Sequence, residues 1–235
     1  MNSFMRNFLL MVCFFFRALP LFAGDAVKIE ITRDTILQQS IEIPFGTTLV
    51  IAPGVKVLFE GYHVLRVNGL IIAEGTPSEP VLFSGVDRET LSREKPVWKG
   101  IEIVGKNAHG HFRNCRFEGA YRNLIWESSP SFDSCQFTGN HYGLYCTKKA
   151  APPVQNCRFN RNTYGIAVDF ASPLLSGNII TENNVGLHLQ LSSSVLAGKN
   201  LITGNGKDIH TESAFGPNNN FMSMQRMWDM MRQLF

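Results

Sequence analysis

Asn156-Cys157-Arg158-Phe159-Asn160-Arg161-Asn162-Thr163-Tyr164-Gly165-Ile166-Ala167-Val168 is the stretch from which the fold can be read. An apolar anchor, Phe159, is followed at three residues by Asn162, at six by Gly165, and then by the alternating pair Ile166 and Val168. Apolar residues at period two, bounded by turn formers, read as short strands. The same order recurs around Asn114-Cys115-Arg116-Phe117, Ser134-Cys135-Gln136-Phe137, Gly177-Asn178-Ile179-Ile180 and Lys199-Asn200-Leu201-Ile202. The anchors Phe117, Phe137, Phe159, Ile180 and Ile202 are 20, 22, 21 and 22 residues apart. Three residues past them stand Ala120, Asn140, Asn162, Asn183 and Asn205. Six past stand Asn123, Gly143, Gly165, Gly186 and Asp208, residue types that tolerate positive φ at a turn. A unit of this length cannot bury its apolar side alone, but stacked on its neighbours it can, which predicts a solenoid.

Upstream, Pro53-Gly54-Val55-Lys56-Val57-Leu58-Phe59, Asn68-Gly69-Leu70-Ile71-Ile72-Ala73-Glu74-Gly75 and Trp98-Lys99-Gly100-Ile101 continue the grammar. In this order these segments resemble the right-handed parallel β-helix repeat family of exported bacterial proteins, over roughly residues 45–212. The resemblance implies an all-β, single-stranded right-handed parallel β-helix of about eight coils. It carries little about function, because the matching residues are ladder and turn positions that enzymes, adhesins and binding modules share. The N-T-D, D-D, G-H-G and R-I-K set of polygalacturonase-like chains does not occur here. Nor does an aspartate cluster of the pectate-lyase-like kind stand beside Arg116 and Arg158.

Stacked coils lie about 4.8 Å apart, so each repeat position becomes a column along the axis. The columns Cys115, Cys135, Cys157, Asn178, Asn200 and Asn140, Asn162, Asn183, Asn205 read as interior corner ladders, with the asparagines bonding the next coil's backbone. Outward on the following strand the spacing places Ile125, Tyr145, Ala167, His188 and His210, and two residues further on Glu127, Thr147, Asp169, Gln190 and Glu212. Aromatic planes and hydrogen-bonding groups on one face suit a sugar-binding surface, so Tyr145, His188, His210, Glu127 and Asp169 are the candidate ligand-binding residues. Glu127 and Asp169, expected two coils or roughly 9–10 Å apart, are also the weak catalytic candidates, near the carboxyl spacing of an inverting glycosidase. No cofactor and no metal site is expected. His109-Gly110-His111 puts two imidazoles on one face without a third ligand.

Arg6, the apolar run Phe8 to Phe16 and Ala23 have the form of a secretory signal peptide over residues 1–23. The run is too short to span a bilayer, and no other resembles it, so the mature chain is expected to have no membrane span. Export to the periplasm, the cell surface or the medium follows. Without residues 1–23 the chain has 20 basic and 19 acidic residues. That balance, without a basic cluster, excludes a nucleic-acid interface. Gly85 to Pro96 is a charged interruption expected to protrude as a loop. Residues 24–215 then form the β-helix, and 216–235 switch to helical period. Phe221, Met224, Met227, Trp228, Met231 and Leu234 predict a short amphipathic helix that caps the rod or binds a partner. The whole reads as an exported, monomeric or weakly associating, non-catalytic module that recognises a polysaccharide or an envelope protein. The alternatives are a polysaccharide hydrolase or lyase using Glu127 and Asp169, and a structural envelope component docked through the C-terminal helix.

Overall fold

The computed structural model describes residues 27–87, 92–190, 193 and 195–212. Every regular element in them is a short β-strand, as period-two alternation requires. The strands repeat in threes, assigned here to sheets A, B and C. Val27–Ile31, Thr35–Leu37 and Ile41–Ile43 make the first coil, and Leu196–Gly198, Leu201–Ile202 and Lys207–Thr211 the eighth. Each strand pairs in parallel with the one three places on, which gives three eight-stranded parallel sheets. This is the all-β solenoid of about eight coils that the repeat predicts. Its first coil begins upstream of residue 45, pairing Ile41 and Ile43 with Leu65 and Val67. The expected signal segment 1–23 and the amphipathic helix in 216–235 lie outside the described residues.

Inward side chains stack coil on coil. Phe83, Phe117, Phe137 and Phe159 lie in parallel planes with ring centroids 5.1, 4.6 and 4.6 Å apart, and Ile180 and Ile202 continue their column. Phe112 and Phe132, from sheet A, stack at 4.9 Å and meet Phe117 and Phe137 edge-on. Each such pair adds about 0.5–1.5 kcal/mol beyond the area it buries.

The corners have their own chemistry. At the A-to-B corner, Asn114, Ser134, Asn156, Gly177 and Lys199 adopt φ between 47° and 65°, and at the B-to-C corner Gly119, Gly139, Arg161, Glu182 and Gly204 adopt φ between 58° and 68°. The residue after each is a ladder residue. Oδ1 of Asn140, Asn162, Asn183 and Asn205 accepts the backbone N–H of Ala120, Asn140, Asn162 and Asn183, one coil earlier, at 2.9–3.0 Å. Their Nδ2 groups donate to the carbonyls of Phe117, Phe137, Phe159 and Ile180 at 2.9–3.0 Å. On the last described coil, Oδ1 of Asp208 accepts from both N and Nδ2 of Asn205 at 3.1 and 2.9 Å. The other ladder works alike: Asn178 and Asn200 accept from the backbone of Cys157 and Asn178 at 2.9 and 3.0 Å. The Cys115, Cys135 and Cys157 thiols donate to backbone carbonyls, and all four described cysteines, Cys146 included, are buried and free.

One expectation needs correction. The glycine column is not used for positive φ. Gly143, Gly165 and Gly186 are required because an added Cβ would come within 2.4–2.6 Å of the next coil's carbonyl oxygen. Of the charged interruption, residues 88–91 lie outside the described residues, and residues 92–96 lie against the rod. Ser92 and Lys95 close a tight turn, the Arg93 carbonyl accepts from Thr163 Oγ1 at 3.4 Å, and the Arg93 guanidinium donates to the Glu182 carbonyl at 3.3 Å. Residues 92–96 thus lie along the B-to-C corner of later coils.

Replacing Asn162 by Leu removes the side-chain partner of the Asn140 N–H and of the Phe137 carbonyl together, while Asn183 Oδ1 keeps only the backbone N–H of residue 162. At about 1–3 kcal/mol per stranded buried group, urea unfolding should show a loss of about 3 kcal/mol or more. An unchanged unfolding midpoint would count against the ladder as a determinant of stability.

Candidate functional site on sheet C

The outer face of sheet C concentrates the chemically capable side chains. One row contains Arg122, Tyr142, Tyr164, Val185 and Lys207, and the row beside it Arg66, Glu102, Leu124, Tyr145, Ala167, His188 and His210. A third contains Trp126, Thr147 and Asp169. Tyr145, His188 and His210 therefore share a row, as their spacing predicts.

Glu127 and Ile125 do not fall in the columns expected of them. The ladder slips by one residue between Arg122 and Leu124, so Leu124 pairs with Tyr145, Ile125 with Cys146 and Trp126 with Thr147. Ile125 points into the core at 1% exposure. Glu127 leaves the strand at φ 54° and pairs with Lys106 at 3.7 Å. The slip arises because Asn123 stands where the next coils have Gly143, Gly165 and Gly186, and its Nδ2 donates to the Gly143 carbonyl at 2.9 Å. Asp169, in the row of Trp126 and not of Glu127, accepts from the Tyr145 hydroxyl and Thr147 Oγ1, each at 3.4 Å.

The aromatic rings stack along the axis outside as they do inside. Tyr142 and Tyr164 lie 4.9 Å apart at 11°, Tyr164 and His188 5.1 Å apart at 22°, and His188 and His210 5.1 Å apart at 41°. Their faces are turned to one another, so what they turn outward is hydroxyl and imidazole edges. Burial first, and then the neighbouring Tyr164, Tyr121 and Tyr145, push the Tyr142 phenol up to about 12. Burial and the Asp169 carboxylate raise Tyr145 as well. Both remain neutral hydrogen-bonding groups across the physiological range.

At one end of the face Glu102 lies 1% exposed beneath three cations. Its carboxylate is 2.6 Å from Arg66 Nη2, 2.8 Å from Arg122 Nη2 and 3.6 Å from Lys99 Nζ. At the other end His188 Nε2 is 3.0 Å from Glu212 Oε1, and one donor atom each of His188, His210 and Glu212 lie within 4.8 Å of one another. Arg66, Glu102, Arg122, Tyr142 and Tyr164 are not among the residues that the repeat columns single out. The row of Arg122, Tyr142 and Tyr164 was visible as the position just before the Asn123, Gly143 and Gly165 column, while Arg66 and Glu102 are separated by the charged interruption.

A family model described as "NosD: Periplasmic copper-binding protein (NosD)" matches residues 66–224, about two-thirds of the chain. No curated protein and no solved structure matches it.

Burial raises the pKa of Glu102, but hydrogen bonds from Arg122 and Arg66 and the charges of Arg122 and Lys99 outweigh it and hold the carboxyl below the ordinary carboxylate pKa. Its pairing thus stabilises the fold fully above that pH and is lost as pH falls through the lowered value. Glu102→Gln should cost about 1–3 kcal/mol at neutral pH, because it removes charged hydrogen bonds from Arg66 and Arg122 while those cations keep part of their hydration. Between the ordinary carboxylate range and stronger acid, its melting temperature should fall less steeply than that of the wild type. Parallel melting curves over this range would refute the assignment.

Proposed function

The chain belongs to the NosD family, described as periplasmic, and on that premise we propose that it is an exported, non-catalytic binding module. Its contact surface is the outer face of sheet C, and its ligand is a polysaccharide lying along the rod. The observation that carries this reading is the run of neighbouring ring edges on two adjacent rows, Tyr142 and Tyr164 on one and Tyr145, His188 and His210 on the other. Because the ring faces are occupied by one another, the surface works through hydroxyl and imidazole hydrogen bonds to sugar hydroxyls and not through stacking. A non-catalytic role fits the chemistry. The phenols stay protonated, Asp169 is held by Tyr145 and Thr147, and Glu127 belongs to a different row.

The test is affinity electrophoresis of the exported chain through gels containing neutral and acidic polysaccharides. One polymer should retard it, and Tyr142→Phe and Tyr164→Phe, which keep the stacked rings and remove only hydroxyls, should each weaken retardation about fivefold, the equivalent of about 1 kcal/mol per hydrogen bond. Unretarded migration in every gel would overturn the glycan reading in favour of an envelope protein as the ligand.

A second reading, metal binding, has an observation of its own in the convergence of His188, His210 and Glu212. The family's description names copper. The thiols do not suit it: Cys115, Cys135 and Cys157 face backbone carbonyls in the core, and burial pushes the Cys135 and Cys157 thiols well up, against the thiolate a metal needs. Imidazole and carboxylate donors on the outer face do suit a divalent copper ion.

A further inference from the structure

We infer that His188, His210 and Glu212 form a site for one divalent transition-metal ion, Cu(II) or Zn(II) in chemistry, with a coordination position left open. The inference rests on the metal reading; it shares His188 and His210 with the glycan reading but not Tyr142 or Tyr164, on which the glycan test turns. The solenoid pitch assembles the site. His188 and His210 are in-register neighbours on adjacent strands, and Glu212, two residues past His210, returns to the same side.

The donor atoms already lie within 4.8 Å of one another, and the closest pair, His188 Nε2 and Glu212 Oε1, is 3.0 Å apart. Ligands about 2.0–2.2 Å from a shared ion stand roughly 3.4 Å from each other, so the farthest donor must close by up to about 1.4 Å. Mobility for that is unevenly distributed. His188 is 5% exposed, with its ring stacked on Tyr164 at 5.1 Å, and is the fixed ligand. His210 is partly exposed and the Glu212 side chain is 50% exposed, both at the end of the last coil, and these are the ligands that adjust.

Two imidazoles and one carboxylate select against calcium and magnesium, which want oxygen donors, and against Cu(I), which wants sulfur. Three protein ligands leave a fourth place for water or for a group on a partner molecule. Among the described residues this is the one set of three such donors within mutual reach. His109 and His111 are the natural control, since both are exposed on sheet A, and His111 Nδ1 is 3.1 Å from Ser131 Oγ.

The test is titration of the exported full chain with Cu(II) and, separately, Zn(II), by calorimetry, with electron paramagnetic resonance on the copper form. One ion should bind per chain. His210→Ala and Glu212→Gln should each weaken binding at least tenfold, while His109→Ala with His111→Ala leaves it unchanged. The copper spectrum should show two coupled nitrogens in the wild type and one in His210→Ala. His188 is more deeply packed, so its Ala variant is read only beside its melting curve, and the two outer variants carry the decision. One-to-one binding retained by the His210→Ala, Glu212→Gln double variant would overturn this site and leave the metal reading standing on other residues. No binding by the wild type would overturn both.

Discussion

A parallel solenoid satisfies its backbone easily along the strands and with difficulty at the corners, where the chain turns inward and its N–H groups lose the ladder. Here that difficulty is met by side-chain amides acting as surrogate peptide groups. Each corner asparagine accepts the N–H of its counterpart one coil earlier and donates to that coil's anchor carbonyl. Amides chained in this way polarise one another, which strengthens the series beyond its separate bonds. The pitch of the rod and the register of all three sheets depend on these contacts, because an asparagine out of step would strand several buried polar groups at once.

The same pitch governs the outer face. Any aromatic column on adjacent coils is brought to stacking distance, so the phenylalanines of the core and the tyrosines and histidines outside show nearly equal centroid separations. Inside, this fills the rod. Outside, it occupies the ring faces and leaves polar edges in a line, with a buried carboxylate and its three cations at one end and an imidazole and carboxylate cluster at the other.

The fold was legible because its determinants are local: Phe159, Asn162 and Gly165 each hold a fixed distance from the others within one coil, and that spacing repeats. Columns were legible only as far as each coil held the same number of residues. At Asn123 the count slips by one against Gly143, which moved Ile125 into the core and set Trp126, not Glu127, beside Thr147. The Arg66 and Glu102 pair was hidden for a related reason, since the segment from Gly85 to Pro96 lengthens the interval between them. His188 and His210 were found as a column, but Glu212 sits in a neighbouring one, and only the folded rod shows the three to be within reach of one another. The reason for the glycines, close approach of the next coil's carbonyl, is likewise a tertiary fact.

Asp208 takes the part of a missing asparagine, receiving both donors of Asn205 with a single oxygen. A carboxylate can accept in that way but cannot donate onward, so the amide series stops there by its own chemistry. Growth of such a rod by duplication of a coil is therefore free before Asp208 and punctuated at it. An extra turn inserted before Asp208 inherits a matching neighbour on either side, whereas one appended after it would find the preceding ladder already terminated.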